Sequence, residues 1–297
     1  MNWLTLLAAV GIITGFPIGS GLFSVRQNQA HFEKVKEVCK NEDLSYLEGL
    51  SADDREKMVK LRNIFNYWGK ELKFDISESN NRIAYLYSKL SLECEMLFGT
   101  IKEDEIVELS KKKFYSCNKY IESTLKYSLN NPFATQEELR VEMEKYRQEY
   151  DIDLEIWNRA YRILDYYGAE VMKVCPRGVC RDFTALLLEK MDKEIKMPSY
   201  KITTNLHTAN LYKIAGKWYV ADLTLEVQLP ADTKGKDYFC DYNGTKKSFP
   251  KYMLPLEIWF PLSLRDPDKD LAKRVHVEIC TDTGETCLPL DEFLKSH

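Results

Sequence analysis

The stretch "PRGVCRDFTALLLEK", residues 176–190, sets a thiol at the start of an apolar helix. The apolar run predicts a short helix over Phe183 to Met191, and Cys180 sits at its mouth, between Gly178 and Arg181-Asp182. A cysteine reacts as its thiolate, and its free pKa is about 8.5. A helix N-terminus, neighbouring cations and a partner imidazole all lower that value. The helix mouth supplies the first and Arg177 and Arg181 the second. The unsatisfied amides of the first turn can hold an oxyanion when the sulfur attacks a carbonyl. Gly178 allows a sharp turn and a close approach of substrate, and Asp182 complements the helix dipole. A packed cysteine, or one bridged to Cys175, accounts for the same residues.

A second stretch, "HTANLYKIAGKWYVADLT", residues 207–224, reads as strand, tight turn, strand. It opens on one of only four histidines in the chain. With Ala215-Gly216 as a two-residue turn, Asp222 falls opposite Ala209 and His207 opposite Thr224. His207 and Asp222 are then diagonal neighbours on one face, about 7–8 Å apart along the backbone and within side-chain reach. A four-residue loop ending at Gly216 places them directly opposite, and a three-residue loop puts them on opposite faces. The apolar pattern favours the first two, because Ala209 and Leu211 then share a face with Trp218 and Val220. An aspartate beside an imidazole fixes its tautomer and supports its charged form. Cys180, His207 and Asp222 are therefore the candidate nucleophile, base and orienter. His31, His276 and His297 read as structural.

Residues 26 to about 173 carry apolar side chains at helical spacing and only one proline, Pro132. Thr135 and Glu138 form a capping box that starts a helix after Pro132. Asp75 or Ser77 caps another, and Asp151 and Asp153 mark a break. Beyond Gly178 the texture turns β-rich. Strands are expected at Tyr200 to Thr204, His207 to Ile214, Lys217 to Leu225, Leu256 to Leu262 and Arg274 to Cys280. The sequence therefore predicts an α+β fold in which a mostly helical region, 26–154, precedes a domain at 155–297.

The chain has 297 residues, 44% hydrophobic and 30% charged, with a net charge of -4. These values fit a globular protein and argue against a nucleic-acid binder. No charged residue occurs from Trp3 to Val25. The apolar core Leu4 to Ile13, followed by Gly, Pro and Ser, reads as a signal peptide or a membrane anchor over 1–25. Both place the body of the protein outside the cytoplasm, and the anchor implies membrane association through residues 3–25. Eight cysteines, an even number, suggest disulfides in an exported chain. Cys280 and Cys287 flank the hairpin tip "TDTGET" and form one candidate pair. No CxxC pair occurs, so no zinc site is expected.

The two motifs together resemble the core of the transglutaminase-like superfamily of papain-like cysteine enzymes. Gly178, Cys180 and Asp182 match that family's Gly-x-Cys-x-Asp/Glu motif at a helix start. His207, Trp218 and Asp222 match its His-led strand and Trp-containing return strand ending in Asp. The resemblance covers roughly residues 155–262. It implies a helix bearing the nucleophile packed on an antiparallel sheet, with Cys180 as nucleophile, His207 as general base and acid, and Asp222 as orienter. It also implies a hydrolase or acyltransferase acting on peptide or carboxamide bonds of a protein or peptide substrate, without a cofactor. Protease or amidase activity is favoured over crosslinking. A catalytically inactive binding or scaffold module on the same fold is the alternative. Position 174 is Val where papain has its oxyanion glutamine, which leaves Trp157 or Asn158 as the upstream donor.

Overall fold

The computed structural model describes residues 48–131, 134–203, 207–228, 250–256, 259, 276–281 and 284–297. The apolar segment 1–25 lies outside the described residues, as do Cys39, Cys240 and His31. Among the described residues no helix is long and apolar enough to cross a membrane.

The architecture is α+β, mostly helical with one small antiparallel sheet. Five long helices come first: α1 (Ala52–Glu71), α2 (Ile76–Leu97), α3 (Ile106–Asn130), α4 (Gln136–Glu149) and α5 (Leu154–Val174). Polar side chains start four of them by accepting otherwise orphaned amide hydrogens. Ser51 caps α1, Asp75 caps α2, Thr135 with Glu138 forms the expected box on α4, and Asp153 caps α5. Asp151 takes a left-handed φ of 54° and breaks α4 from α5. A parallel pair of two-residue strands, β1 (Lys73–Phe74) and β2 (Arg177–Gly178), ties the start of α2 to the end of α5.

The cysteine helix α6 (Cys180–Lys190) follows, closed by a π turn at Met191–Ile195. Then come β3 (Ser199–Thr203), β4 (Thr208–Ile214) and β5 (Lys217–Ala221), a short α7 (Leu223–Gln228) and β6 (Leu254–Pro255). The hairpin β7 (His276–Thr281) and β8 (Gly284–Pro289) and the helix α8 (Leu290–Ser296) complete the chain. The sheet order is β6-β5-β4-β3-β7-β8.

Three apolar clusters hold these parts. α6 lies across β4 and β3, and its Phe183, Leu186 and Leu187 pack with Tyr212 and Ile214. Met58, Leu61 and Phe65 of α1 join the same cluster, and this early helix packs against α7 and the π turn that closes the cysteine helix. The opposite sheet face carries Ile202, Ala209, Leu211, Val220, Trp259 and Phe293. A third cluster joins α2, α3 and α5 around Tyr87, Tyr120 and Trp157. A buried ion pair between Lys251 and Glu226 braces α7, where Gly69 of α1 leaves room for the Glu226 stem.

Two strand expectations are corrected. β5 ends at Ala221, and 223–228 is helical, because Asp222 turns its carboxylate onto the amides of Thr224 and Leu225 and starts α7. Of the predicted strand 256–262 only Leu256 and Trp259 are described, and both are helical, with a strand just before them at Leu254–Pro255. Cys94, Cys117, Cys175 and Cys180 are free thiols, which removes the Cys175–Cys180 bridge. In the backbone register of the β7–β8 ladder Cys280 pairs with Glu285 and Cys287 with Glu278. The two cysteines are thus diagonal, not opposed.

Candidate active site

The helix mouth is built on a carboxylate that folds backward. Asp182 is 2% exposed, and its Oδ2 accepts the Val179 amide at 2.9 Å and the Ser79 hydroxyl at 2.9 Å. Arg181 Nη2 reaches its Oδ1 at 3.3 Å, and Arg82 Nη2 lies 3.6 Å from Oδ2. Arg82 also donates to the Arg177 carbonyl at 2.6 Å, so α2 grips the turn before Cys180 from outside. A Cβ on Gly178 would lie 2.5 Å from Asp182 Oδ2. Gly178 does not have a positive φ. Glycine is therefore needed here for the space that Asp182 occupies, not for an unusual backbone angle.

The amides of Cys180, Arg181 and Asp182 open α6, and Phe183 is the first whose N–H closes back, onto the Val179 carbonyl. The three before it have no intrahelical acceptor. They flank a partly exposed thiol. Arg181 is committed to Ser79, Asp182 and the face of Tyr161, with its guanidinium carbon 5.2 Å from the ring centre. It lies close enough to favour the Cys180 thiolate, though weakly. Arg177 points away, half exposed, 3.8 Å from Asp75. The expectation that both arginines serve the thiol therefore holds for one.

The β4–β5 hairpin has the two-residue turn. Ala215 and Gly216 both take positive φ, 48° and 75°, as a primed turn requires. The ladder pairs Ile214 with Lys217 and Asn210 with Ala221. His207 and Asp222 lie just beyond its last pair and close the gap with their side chains. His207 Nε2 is 2.6 Å from Asp222 Oδ2. The imidazole also interacts with the Cys180 side chain.

α6 packs on the sheet face that carries Asn210 and Tyr212, whereas His207 and Asp222 alternate to the other face. They meet Cys180 because all three sit at element ends. The thiol stands at the helix mouth, the imidazole just before β4, and the carboxylate just after β5.

The electrostatics follow from this geometry. Burial alone would push the His207 imidazolium toward neutrality. The Asp222 carboxylate overrides it and lifts the pKa to about 10. Burial likewise opposes ionisation of Cys180. The hydrogen bond and charge of His207, the Thr208 amide and Arg181 together bring its pKa below the ordinary thiol value. Both shifts run in the direction that favours a thiolate–imidazolium pair.

Asp222 is 1% exposed and fully employed. Its Oδ1 accepts the amides of Thr224 and Leu225 at 3.1 and 3.3 Å. Its Oδ2 accepts the Trp259 indole N–H at 2.8 Å in addition to His207. The Trp259 ring lies 6.0 Å from the His207 ring at 32° and walls off that side of the imidazole.

Sequence reasoning misses Trp259, because the apolar run around it reads as a strand, and it misses Ser79 and Arg82 on α2. Only the buried position of Asp182, invisible in sequence, makes partners for it necessary. The expected upstream donors are not realised. Trp157 packs edge-on against Tyr120 in the helical cluster, with ring centres 4.7 Å apart, and Asn158 is exposed.

No group of three or more His, Cys, Asp or Glu side chains suited to a metal ion occurs among the described residues. No family model, curated protein or solved structure matches the chain.

Proposed function

We propose that this protein is a thiol-dependent hydrolase or acyltransferase of the transglutaminase-like, papain-like kind, acting on a peptide or carboxamide carbonyl. The observation that carries the reading is the continuous chain from Cys180 through His207 to Asp222, with the ring held at 2.6 Å by a buried carboxylate. A packing cysteine has no use for such a chain. The placement of the cysteine helix across antiparallel β3 and β4 supports the same fold assignment.

In the reaction, the Cys180 sulfur attacks the carbonyl carbon, and the carbonyl electron pair moves to oxygen. The amides at the start of α6 stabilise that oxyanion. His207 gives its proton to the leaving amine as the C–N bond breaks, which leaves a thioester on Cys180. His207, now neutral, takes a proton from water, and the hydroxide adds to the thioester. Collapse releases the carboxylic acid and restores the thiolate–imidazolium pair. Asp222 holds the ring in register throughout, and Trp259 keeps water from competing for Asp222 Oδ2. An amine in place of water would give crosslinking. Hydrolysis is preferred because both Cys180 and His207 are partly open to solvent.

The test is incubation of the purified protein with a mixed proteome beside a Cys180→Ala control. Cleavage, deamidation and crosslinks are then read by mass spectrometry. Products that depend on Cys180 support the reading and name the reaction. Their absence, together with an ordinary Cys180 thiol, leaves a binding module on the same fold.

A further inference from the structure

We infer that Asn210 is a positioning residue that sets the height of the cysteine helix against the strand leading from His207, an inference that rests on the thiol chemistry proposed above. Asn210 is 1% exposed, and its Nδ2 donates to the Thr184 carbonyl at 3.1 Å. Thr184 lies one turn after Cys180 on the same face of α6. Asn210 follows His207 by three residues, and its partner across the ladder is Ala221, the residue before Asp222. One side chain therefore stands between the elements that carry all three members of the site.

The rest of the α6–β4 interface is apolar, among it Phe183, Leu187, Tyr212 and Ile214, apart from the Thr208 amide at the thiol itself. Apolar burial is non-directional and allows a helix to slide by a fraction of an ångström at little cost. A hydrogen bond to a main-chain carbonyl does not. The contact between sulfur and imidazole is sensitive to such shifts, since misplacement by about 1 Å is enough to lower catalysis sharply.

Stability gives no competing reason for the amide. Asn210 Oδ1 is buried without a hydrogen-bond partner among the described residues, and a half-satisfied buried amide is a cost. Leucine has the same branching and number of heavy atoms and no such cost.

The experiment compares full-length wild type, Asn210→Leu and Asn210→Ala. Ile214→Val, a small cut in the same cluster and strand, serves as the structural control. Each is scored for thermal unfolding and for the pH profile of Cys180 alkylation by iodoacetamide. Asn210→Leu is expected to unfold cooperatively like wild type but to alkylate at least tenfold more slowly at pH 6.5, where an ordinary thiol is only about 1% ionised. Ile214→Val is expected to lower the melting temperature and keep the wild-type profile.

A wild-type profile in Asn210→Leu and Asn210→Ala overturns the positioning role while leaving the thiol reading standing. Loss of fold in both variants also overturns it, by assigning Asn210 to stability. An ordinary thiol profile in wild type overturns the thiol reading, and the positioning role falls with it.

Discussion

Gly178→Ala is the sharpest test of how the helix mouth is built. The new methyl would lie 2.5 Å from Asp182 Oδ2, 2.8 Å from its Cβ and 2.9 Å from its Cγ. All three belong to one side chain, so either Asp182 leaves its place or the backbone at 178 does. If Asp182 leaves, the Val179 amide and Ser79 lose their acceptor, and Arg82 and Arg181 lose their buried counter-charge. Stranding buried charge in this way typically costs about 3–5 kcal/mol. For a chain of this size that is a fall of roughly 6–20 °C in melting temperature. The assay is thermal unfolding of Gly178→Ala, Asp182→Gly and the double variant. In the Asp182→Gly background the clash is gone, so Gly178→Ala should cost less than about 1 kcal/mol, a coupling of at least about 2 kcal/mol. Equal costs of Gly178→Ala in both backgrounds would refute the claim that Asp182 is what demands glycine.

Two further substitutions separate the roles around the imidazole. Asp222→Asn keeps the shape of the orienter but removes the charge that lifts His207, and turnover should fall by about 10²–10⁴, measured on whatever substrate the proteome screen yields. An unchanged rate would remove Asp222 from the mechanism. Trp259→Phe deletes only the indole donor to Asp222 Oδ2 and leaves a ring beside His207. A hydrogen bond to a charged acceptor is worth about 1.5–3 kcal/mol, so turnover should drop roughly 10–150-fold, with cooperative unfolding retained. A loss of less than about twofold would make Trp259 packing alone.

Much of the site is legible in the sequence because its signals are local. Alternation at Ala209, Leu211, Trp218 and Val220 narrows the hairpin to a two-residue or a four-residue turn, and the structure has the two-residue turn at Ala215-Gly216. The caps at Asp75, Thr135 and Asp153 are likewise set by residues within one turn. What sequence does not reach depends on distant contacts. Ser79 and Arg82 precede Asp182 by about a hundred positions, and nothing on α2 announces that it will grip the turn before Cys180. Asp222 reads as part of a strand because β-rich sequence continues past it. Its carboxylate starts α7 instead, a choice made by capping geometry and not by β propensity. Trp259 escapes for a related reason, since an apolar run of that length fits either a strand or a helix.

The central claim is tested most directly by the rate of Cys180 alkylation between about pH 5 and 10, in wild type and His207→Ala. The imidazolium, lifted by Asp222, is lost only as pH rises through about 10. The thiolate is lost only as pH falls through its lowered pKa. Between those limits the pair is charged, so the wild-type rate should level off at a lower pH than an ordinary thiol's. In His207→Ala the thiol keeps its burial but loses its partner. At about pH 7 an ordinary thiol is about 3% ionised, so the variant should react at least about 30-fold more slowly and gain about tenfold per pH unit. A wild-type rate that itself climbs about tenfold per unit through neutrality, or a His207→Ala profile identical to wild type, would contradict the account.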